Sequence, residues 1–271
     1  MIRLLFNTIG DDAASIAYST SAVATGYDGN DAISGPRNRR VRGIKQTLAG
    51  SGYANPFSVR YTGSGCSGID HVVITDFDLN IPDPAANGFD LQYNDGSWHT
   101  LRNEAPLSTT LRGKNGTDLV YEFSPVTVAG TYIFYFSSWV QRPYTDRATE
   151  FGKVYFSKGF DFGENPELGK RPMWEMLPAS QPNYFTPLRS SLTYEVEASI
   201  TLSWSGITRA KLQEFKAQPQ LLNWPLFLYD STADLWDWKL EHVVIDTWAE
   251  RTLSDDCHEI QIRFHRLKHY R

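Results

Sequence analysis

Residues Leu192–Trp204, LTYEVEASITLSW, alternate without a break. Leu192, Tyr194, Val196, Ala198, Ile200, Leu202 and Trp204 share one parity, and Thr193, Glu195, Glu197, Ser199, Thr201 and Ser203 the other. Successive side chains of a strand point to opposite faces, so this reads as one long strand with a dry face and a wet one. At about 3.3 Å per residue it spans about 40 Å, well beyond the usual five or six residues. Such strands belong to antiparallel sheets whose polar side meets solvent or a partner. Glu195 and Glu197 lie on that side.

The neighbouring sequence continues the pattern. In GITRAKLQEFKAQP, Thr208 can cap a helix, Leu212 and Phe215 share one face, and Pro219 stops it. Leu226–Tyr229 is a short strand. In LWDWKLEHVVIDT (Leu235–Thr247), Trp236, Trp238 and Leu240 alternate with Asp237, Lys239 and Glu241. The phase breaks across Val243, Val244 and Ile245, which predicts a bulge or a change of burial. Ile260, Ile262 and Phe264 then alternate with Gln261 and Arg263. The closing residues Arg263, His265, Arg266, Lys268, His269 and Arg271 read as a solvated or subunit-contacting end.

Working back, residues 160–189 are rich in Pro (166, 172, 178, 182 and 187) and Gly, with little periodicity. They read as a connector lying along the surface. Before it, short strand candidates recur about every ten residues: Ile2–Asn7, Ser15–Ser19, Phe57–Tyr61, Ile69–Leu79, Phe89–Tyr93, Trp98–Leu101, Leu119–Phe123, Thr131–Val140 and Thr149–Ser157. Asp95-Gly96 between two aromatic strands marks a hairpin. The expected domains are 1–160, a β sandwich or jelly roll; 161–190, the connector; and 191–271, a β domain with one packed helix.

The net charge of -5 argues against a general nucleic-acid binder, which needs a basic footprint. The densest basic run, Arg37, Arg39, Arg40, Arg42 and Lys45, is either a phosphate or acidic-partner contact or a solvated loop. Cys66 and Cys257 read as two free thiols suited to a reducing compartment. The first residues are too short in apolar length for a signal segment, and no apolar run approaches the roughly 18 residues of a membrane helix. Asn115-Gly116-Thr117 reads as a turn.

No motif for zinc hydrolysis, a nucleophile elbow, a nucleotide loop or a dinucleotide fold occurs, and no cofactor or metal is expected. Asp76 and Asp78 would share a strand face, as paired carboxylates for glycoside hydrolysis or Ca²⁺, or simply as a solvated strand end. Aromatics make up 14% of the chain, with 8 Trp and 14 Tyr, more than a core tends to use. Trp98 beside Tyr93, and Trp139 near Arg142 and Tyr144, offer flat faces and planar donors for a sugar, or else fill the sandwich.

Three stretches carry a family resemblance. A small-residue loop runs into SGPRNRRVRG and the strand GIDHVVITDFDLN; the hairpin FDLQYNDGSWHTL follows; YFSSWVQRPYTDRATEFGKVYFSKGF closes the domain. Residues 1–160 thereby resemble the discoidin-like, galactose-binding-type jelly roll of minor and distal tail proteins of tailed bacteriophages. Asp95-Gly96-Ser97-Trp98 and Phe151-Gly152-Lys153-Val154-Tyr155 match that pattern, whereas Asp76-Phe77-Asp78-Leu79 departs from its His-Asn-Leu turn. Residues 191–271 are similar to the tail-tube and tail-hub-like β domain of the same proteins. The resemblance implies a non-enzymatic component of the virion, at the distal tail or tail tip, assembled in the host cytoplasm. Its C-terminal domain would form a ring with copies of itself and meet tail-tube and tail-hub proteins. Glu195 and Glu197 would line a lumen or meet a neighbouring subunit, and Trp236 and Trp238 would serve packing or ring contact; these four are the candidate subunit-interface residues. Its jelly roll would brace tail-tip partners or contact host cell-surface glycan. The alternative is a free carbohydrate-binding module, or lectin.

Overall fold

The computed structural model describes residues 1–9, 15–18, 41–42, 57–75, 87–104, 119–140, 150–152, 154–167, 175–176, 196–218, 225–230 and 240–267. Among these residues the chain is mainly β, with fourteen strands and one short helix, as the alternation predicts. It divides into two compact units: a terminal unit of Met1–Phe6 with Gly159–Tyr270, and an inserted unit of Asn7–Lys158.

The terminal unit is built on the alternating stretch. Strand β11 (Val196–Ile207) pairs antiparallel with β14 (Cys257–Leu267), β14 with β13 (Leu240–Ser254), β13 with β12 (Pro225–Asp230), and β12 with β1 (Ile2–Ile9). Ala198, Ile200, Leu202 and Trp204 of β11 are buried and Thr201 is exposed, the faces the parity predicts. Ser199 departs from it and is buried. There β11 carries Glu175 of the two-residue strand β10 (Glu175–Met176) on one side and His265 on the other, and the Arg263 guanidinium donates to the Ser199 hydroxyl at 3.5 Å. Helix α1 (Arg209–Lys216) begins at Thr208, whose hydroxyl accepts from the Lys211 amide at 3.3 Å, and buries Leu212 and Phe215. Pro219 lies outside the described residues.

Three expectations change here. Ile2–Phe6, read as part of the N-terminal domain, pairs with β12, and Ile2, Leu4 and Phe6 belong to the terminal core. Short apolar strands carry no mark of their partner, so sequence proximity misassigned it. Phe162, read as connector, packs on Trp204 and Phe215 at ring-centroid distances of 4.8 and 5.3 Å. Strand β13, by contrast, is buried at every residue from Leu240 to Ile245 and shifts register between Ile245 and Thr247, the change of burial and bulge that the broken phase predicts. The basic end is also less solvated than expected: Arg266 donates to Glu241 at 2.9 Å, and both are largely buried.

In the inserted unit the ladder runs β9-β4-β7-β5-β6, with β2 (Ser15–Tyr18) against β4. Its strands are β4 (Phe57–Ile74), β5 (Asn87–Asn94), β6 (Trp98–Glu104), β7 (Leu119–Val140) and β9 (Val154–Phe160). A separate two-stranded sheet pairs β3 (Val41–Arg42) antiparallel with β8 (Glu150–Phe151). The core includes Val59, Tyr61, Val72, Leu91, Phe134, Phe136 and Phe156.

Four predicted strands merge into two. Phe57–Tyr61 and Ile69–Ile74 are ends of β4, and Leu119–Phe123 and Thr131–Val140 are ends of β7. Glycines hide the continuity. Gly65 and Gly68 take positive φ, 73° and 69°, where β4 slips register against β7, and Pro125 lies where the ladder shifts between the Ile69–Val126 and His71–Glu122 pairs. A bulge absorbs both residue types without ending the strand.

Candidate functional site

The β5–β6 hairpin forms as its sequence predicts. Asn94 pairs with Trp98 across Asp95-Gly96-Ser97, and Gly96 sits at φ 122°, a region open to glycine. Side chains close the turn. The Asn94 amide oxygen accepts from the Gly96 N–H at 2.9 Å, and His99 Nε2 lies 3.0 Å from Asp95 Oδ1. The hydrogen bond from His99 holds the Asp95 carboxyl below its ordinary value.

Alternation then separates two residues that the sequence grouped. Tyr93 pairs with His99 and Asn94 with Trp98, so Tyr93 and Trp98 occupy successive rungs and opposite faces. Tyr93 looks toward the core, stacked on His99 at 4.6 Å and on Phe134 at 6.1 Å. Trp98 stands on the outer face, 51% exposed, with its ring edge-on to Tyr135 at 6.0 Å and 76°. A single sugar ring cannot rest on both.

The partner the structure provides for Trp98 is different. Tyr135 of β7 pairs with Gln92 of β5 on one side and Arg60 of β4 on the other, and Gln92 pairs with Thr100 of β6. The Arg60 guanidinium lies 5.4 Å from the centre of the Tyr135 ring, within cation–π range. Arg60, Tyr135, Gln92 and Thr100 thus cross four strands on one face, with Asn94 and Trp98 on the next rung of that face. Asp90 falls on the same parity of β5, opposite Ser137, and partial burial pushes its carboxyl above its ordinary value. The face combines an exposed indole, a phenol ring, a guanidinium, two amides and a carboxylate.

Arg60, Tyr135, Gln92 and Asp90 escaped the sequence reading. The stretch Ile133-Phe134-Tyr135-Phe136 is apolar on both parities, so nothing in it says which ring faces out. Only the pairing with Arg60 and Gln92 decides it.

Of the other nominated residues, Trp139 is in β7 but its side chain is not among those described, and Arg142 and Tyr144 lie outside the described residues. Asp76, Asp78, Glu195, Trp236 and Trp238 also lie outside them, and Glu197 is described by its backbone in β11 alone.

One cluster has the composition of hydrolytic chemistry. His71 Nδ1 meets the Asp70 carboxylate, and Ser157 is the cross-strand partner of His71. His71 and Ser157 are both fully buried, so a substrate has no approach to them. Among the described residues, no three His, Cys, Asp or Glu side chains are placed to hold a metal ion. Burial raises the Cys66 thiol, the opposite of an activated nucleophile.

No protein-family model matches the sequence, and no curated protein matches it. Among solved structures, the chain is similar to the family 32 carbohydrate-binding module of Clostridium perfringens NanJ, solved in complex with galactose. Identity is 10%, coverage 58% of this chain and 99% of that one, and the TM-score 0.39. It is similar to chitosan-binding module 1 of a chitosanase/glucanase from Paenibacillus sp. IK-5, solved as a selenomethionine-labelled mutant, at 12% identity, 56% and 98% coverage and a TM-score of 0.38. A third is the first family 32 module of a Clostridium perfringens family 31 glycoside hydrolase, at 12% identity, 55% and 97% coverage and a TM-score of 0.35. At such scores the reading of the site rests on its own residues.

Proposed function

We propose that the inserted unit is a non-catalytic carbohydrate-binding module that holds sugar on the outer face of its sheet. The observation that carries this is the exposed Trp98 indole, fixed on a side-chain-closed hairpin beside Tyr135 and Arg60. A flat aromatic surface takes the apolar C–H face of a pyranose, while planar amides and a carboxylate exchange hydrogen bonds with its hydroxyls. A few placed polar groups around aromatic surface are what give such sites orientation and specificity.

The test is a glycan array probed with the full chain, followed by calorimetry on the best glycan. Trp98→Ala should weaken binding about tenfold or more while costing at most about 1 kcal/mol of stability, since half of the residue is exposed. An array without a binder, or a Trp98→Ala protein that binds as well as the parent, overturns the reading.

A second reading is the ring-forming tail component, with its virion location and its tail-tube and tail-hub partners. The observation on its side is in the terminal unit, where the β13–β14 hairpin is exposed at every residue from Ala249 to Asp256 and carries Leu253 at 47% exposure. A ribbon bare on both faces is suited to lie against a neighbouring copy. Native mass measurement of the full chain tests it. A ring-sized species that reverts to monomer in Leu253→Asp supports it, and an unchanged oligomer on that substitution rejects the hairpin as the contact.

A further inference from the structure

We infer that the outer face of the inserted unit takes an internal stretch of an uncharged polysaccharide, laid across the strands, rather than a chain end or an acidic sugar. This rests on the carbohydrate-binding reading and specifies its ligand. The first argument is dimension. Trp98 is on β6 and Arg60 on β4, with β5 and β7 between them. Three inter-strand steps of about 4.8 Å separate the two ends by roughly 14 Å, longer than one pyranose ring. Both end residues are exposed, and Gln92 and Tyr135 between them are half-buried, so recognition groups continue along the whole path.

The second argument is charge. Among the described side chains on the rungs between Trp98 and Arg60 and the one beside them, Arg60 and Asp90 are the charged ones, and they are opposite in sign. The Arg60 guanidinium is already turned onto the Tyr135 ring. Asp95, at the turn, is held by His99. Among the described side chains of this path a polyanion would find one cation, already engaged, and a carboxylate that repels it. An uncharged chain meets no such penalty, and the Asp90 carboxylate can accept from two hydroxyls at once.

The third argument is shape. Strand side chains stand roughly perpendicular to a sheet, so the described part of this face is a platform of side-chain tips spread over four strands. Capture of a chain end needs groups closing around a single terminal sugar, whereas the described groups here are spread in file.

The experiment uses the full chain in affinity gel electrophoresis with galactan, xylan, dextran and polygalacturonate. Calorimetry then follows with single sugars, dimers, trimers and hexamers of the neutral polymer that retards it most. The expected result is retardation by a neutral polymer, none by polygalacturonate, and affinity rising about tenfold from the single sugar to the trimer and then levelling. Of the two exposed substitutions, Arg60→Ala should weaken the hexamer several-fold and Trp98→Ala about tenfold or more, because one ligand spans both. Preference for polygalacturonate, or a single sugar binding as tightly as the hexamer, overturns the inference while leaving the carbohydrate reading standing. Retardation by none of the polymers, together with a silent glycan array, overturns both.

Discussion

Trp98 and Tyr135 meet edge to face at 6.0 Å although they come from strands that do not pair: β6 reaches β7 only across β5. Long aromatic side chains bridge the intervening strand and join the hairpin to the sheet on its outer side. Tyr93, five positions before Trp98, joins the hairpin to the sheet on the inner side by stacking on Phe134, its direct cross-strand partner. The hairpin is clasped from both faces, and the two clasps have different consequences for mutation.

Tyr93→Ala should cost stability, about 2 kcal/mol for a half-buried ring stacked on the core, and leave glycan affinity near the parent value. Trp98→Ala should cost at most about 1 kcal/mol, the worth of one edge-to-face contact, while weakening glycan binding about tenfold or more. Urea denaturation read beside calorimetry separates the two. If Tyr93→Ala lost affinity and kept its stability, the assignment of faces would be wrong.

Asp90 should show a trade between stability and binding. Burial raises its carboxyl, so the folded state disfavours the charged form, and the cost is present above the unfolded value of about 3.9. Asp90→Asn should therefore melt at a higher temperature than the parent at neutral pH, with the gap closing as pH falls toward 4. The same substitution should weaken neutral-glycan binding, because a carboxylate that accepts from two hydroxyls is replaced by an amide. Melting curves from pH 3 to 8 check the first part; a parent that melts above Asp90→Asn at pH 7 contradicts it.

His265 moves in the opposite sense. Desolvation lowers its value, with the Asp246 carboxylate pulling it up and Arg263 pushing it down. A depressed histidine favours the neutral ring in the fold, so its contribution is present above the unfolded value of about 6.5 and is lost as pH falls through the folded one. Acidification from pH 7 to 5 should destabilise the parent more than His265→Gln. Parallel pH profiles for the two proteins would remove this account.

Helix α1 offers a calibration of local against tertiary effects. Thr208→Ala removes the cap on the Lys211 amide and should cost about 1 kcal/mol. Phe215→Ala empties a fully buried site ringed by Phe160, Phe162 and Trp248 and should cost about 3–5 kcal/mol. Chemical denaturation of both variants gives the ratio.

Local chemistry made several features of the chain legible before any tertiary contact was known. The parity of Ala198–Trp204, the cap at Thr208 with Leu212 and Phe215 inward, and the Asp95-Gly96 turn are all written in one to three turns or rungs of sequence, and each stands as read apart from the buried Ser199. They depend on side-chain direction and backbone freedom, which neighbouring residues set among themselves. Pairing between distant segments is another matter. That Ile2–Phe6 joins β12, that β4 and β7 run unbroken through Gly65, Gly68 and Pro125, and that Tyr135 faces outward beside Arg60 and Trp98 were decided by the tertiary structure. An apolar strand fits many partners equally well by composition. Which one it takes, and so which of its two faces is buried, depends on the total packing of the sheet, a quantity no single stretch of sequence carries.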